Sequence, residues 1–177
     1  MAEAEIPSPE HNRRLWYSAI AVVVAATVLI GVLAVRLASP GTRMAEASAG
    51  GTSPIGPVCT HYPGAEVSIV APAVGKIVVS ATVGVGVRHF NGINDTALIV
   101  VAATSTDCTL NNYSAFVSVP ETLPSNPSYF ETVPIVRPFA IPAAGTYAFY
   151  VNAAMVQGWD PNDRFDSASL VAVYYPS

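Results

Sequence analysis

Three carboxylates and an amide, Asp160, Asn162, Asp163 and Asp166, fall within a single seven-residue stretch directly after Trp159. Calcium takes about six to eight oxygen ligands, and these side chains with backbone carbonyls and water can supply several of them. The spacing is not that of an EF-hand, because the sixth-position glycine and the terminal glutamate are missing. The competing expectation is an ordinary loop in which Asp and Asn close turns and Arg164 offsets their charge. Trp159 beside it offers a large aromatic contact area to a partner protein or a sugar ring.

Elsewhere the reactive residues are sparse. The histidines are His11, His61 and His89. His89 with Asp95 or Asp107 and any of many serines makes a Ser-His-Asp set on paper, but no nucleophile-elbow sequence marks one serine as reactive. No enzymatic activity is therefore expected, and no catalytic or cofactor-binding residue is assigned. Gly84-Val85-Gly86 lacks the third glycine and helix start of a phosphate loop and reads as a bend in a strand. Cys59 and Cys108 are the two cysteines. A pair on one side of a membrane points to a disulfide in an oxidising compartment, the alternative being two buried reduced thiols. Neither sits in a Cys-x-x-Cys pair or among histidines, so no zinc site is expected. Asn94-Asp95-Thr96 and Asn112-Tyr113-Ser114 fit the N-glycosylation pattern.

The element that places all of these is the stretch from Leu15 to Val35, which carries no charge and is mostly Val, Leu, Ile and Ala. As a helix it is about 31 Å long, enough for a hydrocarbon core of about 30 Å. It predicts a transmembrane helix over 15–37, and with it a lipid bilayer as partner. Arg13 and Arg14, followed by Trp16 and Tyr17, suit an anchored helix end in the headgroup layer. The apolar core is longer than that of a signal peptide, and Arg36 follows it directly, so a retained anchor is expected. Arg13 and Arg14 on one side nearly balance Arg36 and Arg43 on the other. The cysteine pair breaks the tie, giving a cytoplasmic tail over 1–14 and an extracytoplasmic C-terminal domain. Thr27, Gly31, Ala34 and Ala38 form a small-residue stripe compatible with a second helix and hence with a homo-oligomer.

Residues 38–57 are rich in Ala, Gly, Ser, Thr and Pro and read as a flexible linker. The extracytoplasmic domain over 58–177 is a series of β-runs. In the clearest, Lys76 to Arg88, Ile77, Val79, Ala81, Val83, Val85 and Val87 alternate with small or polar residues. Further strands are expected at Glu66 to Val70, Thr96 to Thr104, Tyr113 to Val119, Phe130 to Ile141, Thr146 to Val156 and Ala168 to Tyr175. Thr96 to Thr104 is apolar on both faces, as in a central strand. Pro134 and Pro138 mark Phe130 to Ile141 as an edge strand. Charged residues are 11% of the chain, less than half the usual ~25%, while Val, Ala, Thr, Ser, Pro and Gly dominate. That composition predicts an all-β, antiparallel β-sandwich of about seven or eight strands, immunoglobulin-like or jelly-roll-like. A net charge of -4, with half the basic residues flanking the span, leaves no basic face for nucleic acid.

Gly145-Thr146-Tyr147-Ala148-Phe149 resembles the tyrosine-corner segment of immunoglobulin-like sandwiches, where a Tyr enters the penultimate strand after a Gly turn. The resemblance implies the sandwich class. Phe149 stands where antibody domains carry a cysteine. Taken together, the layout predicts a membrane-anchored binding, adhesion or assembly module with an unknown protein or glycan partner. The alternative is a carbohydrate- or calcium-binding domain using the Trp159 to Asp166 loop.

Overall fold

The computed structural model describes residues 43–90, 92–125 and 128–177. The tail, the expected span at Leu15 to Val35 and its small-residue stripe lie outside the described residues. Among the described residues no helix is long and apolar enough to cross a membrane.

Eight strands follow one another: β1 (Arg43–Pro54), β2 (Thr60–Ala71), β3 (Gly75–Arg88), β4 (Asp95–Ala102), β5 (Ala115–Val119), β6 (Ser128–Ile141), β7 (Gly145–Gln157) and β8 (Arg164–Pro176). The alternation in β3 does what a period of two requires, with Ile77, Val79, Val83, Val85 and Val87 fully buried and Ser80 and Thr82 exposed. Two four-stranded sheets result, ordered β1-β8-β3-β6 and β2-β7-β4-β5. Every pairing between neighbouring strands is antiparallel. Apart from the β4–β5 step, successive strands alternate between the two sheets, and this order is that of an eight-stranded jelly roll. It decides between the two sandwich classes the composition allowed. The core lies between the sheets, where Phe149, Phe165, Leu170, Tyr62 and Tyr174 meet the apolar face of β3.

The strand positions bear out the expected ones and lengthen several. β4 is flanked on both sides and buried along almost its whole length. β6 is an edge, as Pro134 and Pro138 require, since half the N–H groups of an edge strand have no partner to lose. Pro63-Gly64 does not end β2. The register shifts between His61 and Glu66, so the pair sits in a bulge. Gly64 has φ +81°, a left-handed conformation that glycine adopts without strain.

The linker reading of 38–57 is corrected. Arg43–Pro54 is a strand paired with β8, so among the described residues the sandwich already includes Arg43 and does not begin at 58. Ala45, Ala47 and Ala49 alternate with Met44, Glu46 and Ser48 and pack against the core. Their small side chains hide the alternation from a reading based on apolar bulk. The backbone ladder from β8 supplies what the side chains do not.

Candidate functional site

Asp163 is fully buried. One oxygen of its carboxylate accepts the Arg88 backbone N–H at 2.8 Å and the other accepts that of Asp160 at 2.7 Å. It thereby joins the β7–β8 loop to the end of β3. Burial is the largest influence on the group and pushes its pKa up to about 6, helped by the nearby charges of Asp160 and Asp95, while the two N–H bonds pull it down. Asp160 accepts from both the backbone and the side-chain nitrogen of Asn162 at 2.8 Å. Asp166 lies in β8, where it accepts from Arg164 Nε at 3.2 Å.

The expected calcium ligands are thus placed separately. Asp160, Asn162 and Asp163 close the loop on itself, and Asp166 belongs to a strand. Among the described residues, no three His, Cys, Asp or Glu side chains are gathered as a metal ion needs. Trp159 is half exposed, and its indole N–H donates to the Ile55 carbonyl at 3.2 Å, which fixes the ring at the sandwich end. The hollow beside it, lined by Thr52, Pro54, Pro161, Asn162, Asp163 and Arg164, holds about 190 Å³. That is below the ~300 Å³ at which small-molecule pockets begin.

His89 and Asp95 do meet. The ring Nδ1 lies 2.5 Å from Asp95 Oδ2, and Nε2 lies 3.1 Å from the Leu123 carbonyl. The Leu123 carbonyl can only accept, so Nε2 carries a proton there, and one proton shared between Nδ1 and the Asp95 carboxyl makes the other bond. The pair is sealed from solvent at 0% and 1% exposure. With both nitrogens bonded, neither is left to exchange a proton with a substrate. The pair ties the ends of β3, β4 and the β5–β6 connection together.

Two outer faces remain. On the second sheet, Leu98, Val100 and Ala102 point away from the core and are nonetheless buried, with Cys108 packed on them. The cover is the segment between β4 and β5, residues 103–114. A Cys59–Cys108 disulfide holds it, with the two Cα atoms 5.5 Å apart, as the cysteine pair predicts. Asn152, on the outer side of β7, donates to the carbonyls of Thr104 and Asp107, both at 2.8 Å. The Thr109 side chain and N–H hold the Asp107 carboxyl below its usual range. Sequence reasoning missed this arrangement, although apolar residues on both faces of β4 next to a cysteine-bearing loop are its signal.

The first sheet has no such cover among the described residues. Four register rows cross all four strands on its outer side: Met44, Val173, Val78 and Pro138; Glu46, Val171, Ser80 and Val136; Ser48, Ser169, Thr82 and Pro134; Gly50, Ser167, Gly84 and Thr132. One residue in these rows, Glu46, is charged; the rows at either end carry Lys76 beside Tyr175 and Ala140, and Arg164 beside Gly86. Two shallow hollows open on this face, of about 620 Å³ by Lys76, Val78 and Tyr175 and about 430 Å³ by Glu46, Ser48, Ser169 and Val171.

Tyr147 enters β7, the penultimate strand, and its hydroxyl donates to the Ala143 carbonyl at 2.9 Å. This is the back-bond of a tyrosine corner, carried here on a jelly roll.

No protein-family model matches the chain, and no curated protein matches it. Among solved structures it is similar to that of the infectious bursal disease virus Gx strain, with 12% identity and a TM-score of 0.37. It is also similar to the VP2 subviral particle of infectious bursal disease virus, with 13% identity and a TM-score of 0.37. Each match covers 78% of this chain and 33% of the other, so the chain spans about a third of the length of those proteins. A likeness this distant carries no functional reading, and the fold rests on the strand order itself.

Proposed function

We propose that this chain is a membrane-anchored, extracytoplasmic jelly-roll module that acts by binding or assembly through the outer face of the β1-β8-β3-β6 sheet. One observation carries the reading. The four rows that cross all four strands hold sixteen outward positions with a single charge, Lys76 and Arg164 lying only in the rows beyond, and no segment among the described residues covers them, whereas on the opposite sheet Leu98, Val100 and Ala102 are covered by the chain itself. Surfaces that stay in water usually carry more charge than this. The apolar stretch from Leu15 to Val35 supports the anchor, and the disulfide supports an oxidising compartment.

Thiol labelling of intact and permeabilised cells, with and without reductant, tests the reading. Labelling of Cys59 and Cys108 on intact cells only after reduction is the expected result. Thiols that react without reductant and only after permeabilisation would overturn it.

A second reading has its own observation. Trp159 is held half exposed by its bond to Ile55, as a sugar-stacking ring would be. Glycan binding that disappears in a Trp159→Ala variant would establish it, and an array without signal would remove it.

A further inference from the structure

The four sheet edges are not alike. Long open edges invite pairing with another chain, and folded proteins commonly blunt them with prolines, bulges or short strands. β6 carries Pro134 and Pro138, β2 is broken by the bulge around Pro63-Gly64, and β5 is only five residues long. β1 has none of these devices between Arg43 and Gly50, where its register with β8 is unbroken. β2 packs on its core side, where Ala49 faces Gly64, and a hydrogen bond from the Tyr62 hydroxyl to β1 falls beyond that stretch, on the Gly51 carbonyl.

We propose that β1 pairs with β1 of a second copy of this chain, antiparallel about a two-fold axis, joining two four-stranded sheets into one of eight strands. The proposal rests on the assembly reading above and names its partner.

The sequence of β1 selects the register. Met44, Glu46 and Ser48 face outward, and Ala45, Ala47 and Ala49 face the core. A joined sheet must keep its faces in step, so an outward residue opposes an outward residue. Centring the axis on Glu46 would set two carboxylates against each other, which is unfavourable. Centring it on Ala47 opposes Glu46 with Ser48, Ala45 with Ala49 and Met44 with Gly50. Every opposed pair then contains a small residue, so the two backbones can approach to the usual ~4.8 Å. The same patch serves both copies, and the two-fold closes the assembly at two. The charge-poor outer face then runs without interruption across the joint. Strand pairing over seven residues is a small contact beside a standard interface of about 1,600 Å². Confinement of anchored copies to one bilayer raises their effective concentration and offsets that deficit.

The test uses the full chain in membranes and leaves the fold intact, because both substituted positions are exposed. Mixing differently tagged copies carrying Glu46→Cys and Ser48→Cys should give a mixed cross-linked dimer. A Val136→Cys pair on the open face serves as control and should give none. Ser48→Glu sets a second acid against Glu46 at two symmetric places and should weaken the dimer about threefold to tenfold, and Ser48→Lys should strengthen it. Equal dimer in all variants, or cross-linking at Val136 in place of the 46/48 pair, overturns the proposal. Chain that fractionates with membranes but stays monomeric overturns the dimer alone, whereas chain in the soluble fraction overturns the anchor reading beneath it.

Discussion

The two sheets solve the same problem differently at their outer faces. The β2-β7-β4-β5 sheet puts Leu98, Val100 and Ala102 outward and hides them under residues 103–114, which the disulfide and Asn152 hold down. The β1-β8-β3-β6 sheet stays open and keeps its central outward rows free of charge but for Glu46. In effect the first of these faces has become a second, thin core. The other is a surface with neither the charge of a solvated face nor the cover of a buried one, and that combination is what makes it the functional candidate.

Placing one lysine on each face tests the contrast most sharply. Val100→Lys, at a position 1% exposed, puts a charge under the cover and should destabilise the fold by about 4 kcal/mol or more, read from denaturant unfolding. Next in size is Cys108→Ser, which frees the covering segment and should cost about 3 kcal/mol under oxidising conditions. Under reducing conditions the variant and the parent should melt together, and a difference that persists would show that the cover is held by something else.

Mild acid should act at the sandwich end through Asp163. Asp163 binds a proton more tightly folded, with a pKa of about 6, than unfolded, near 3.8. Lowering the pH therefore adds stability as it falls through 6, and the gain is complete below the unfolded value. Between pH 7.5 and pH 5 this group contributes roughly 1 kcal/mol, and Asp163→Asn should remove that part of the dependence. The smallest effect belongs to the open face: Val136→Lys, at 56% exposure, should change stability by less than about 0.5 kcal/mol. A large loss there would mean that the face is packed against something in the folded monomer.

Large apolar side chains, alternating in β3 and continuous in β4, are what a sequence displays best, and those strands were legible for that reason. β1 was not, because Ala45, Ala47 and Ala49 show the same alternation with almost no apolar volume. The His89–Asp95 pair is one of several combinations the sequence permits, and only the path of the chain from β3 into β4 selects it. The acidic loop is the opposite case. Asp160, Asn162 and Asp163 look like ligands in sequence; in space the carboxylates of Asp160 and Asp163 accept from nearby N–H groups, and Asn162 is one of the donors. Whether a carboxylate faces outward or inward is a property of the loop's path, which composition does not carry.

β1 is the first strand of the sandwich, and its ladder partner β8 is the last, with Arg43 opposite Tyr174. During synthesis β1 therefore emerges well before the strand that completes it. At about 5–20 residues per second the wait is on the order of ten seconds. Throughout that time an unpaired strand of Val or Ile would be a seed for aggregation. One built mostly from Ala, Ser and Gly, with Met44 as its single large apolar side chain, offers few side-chain contacts for non-specific aggregation until β8 arrives.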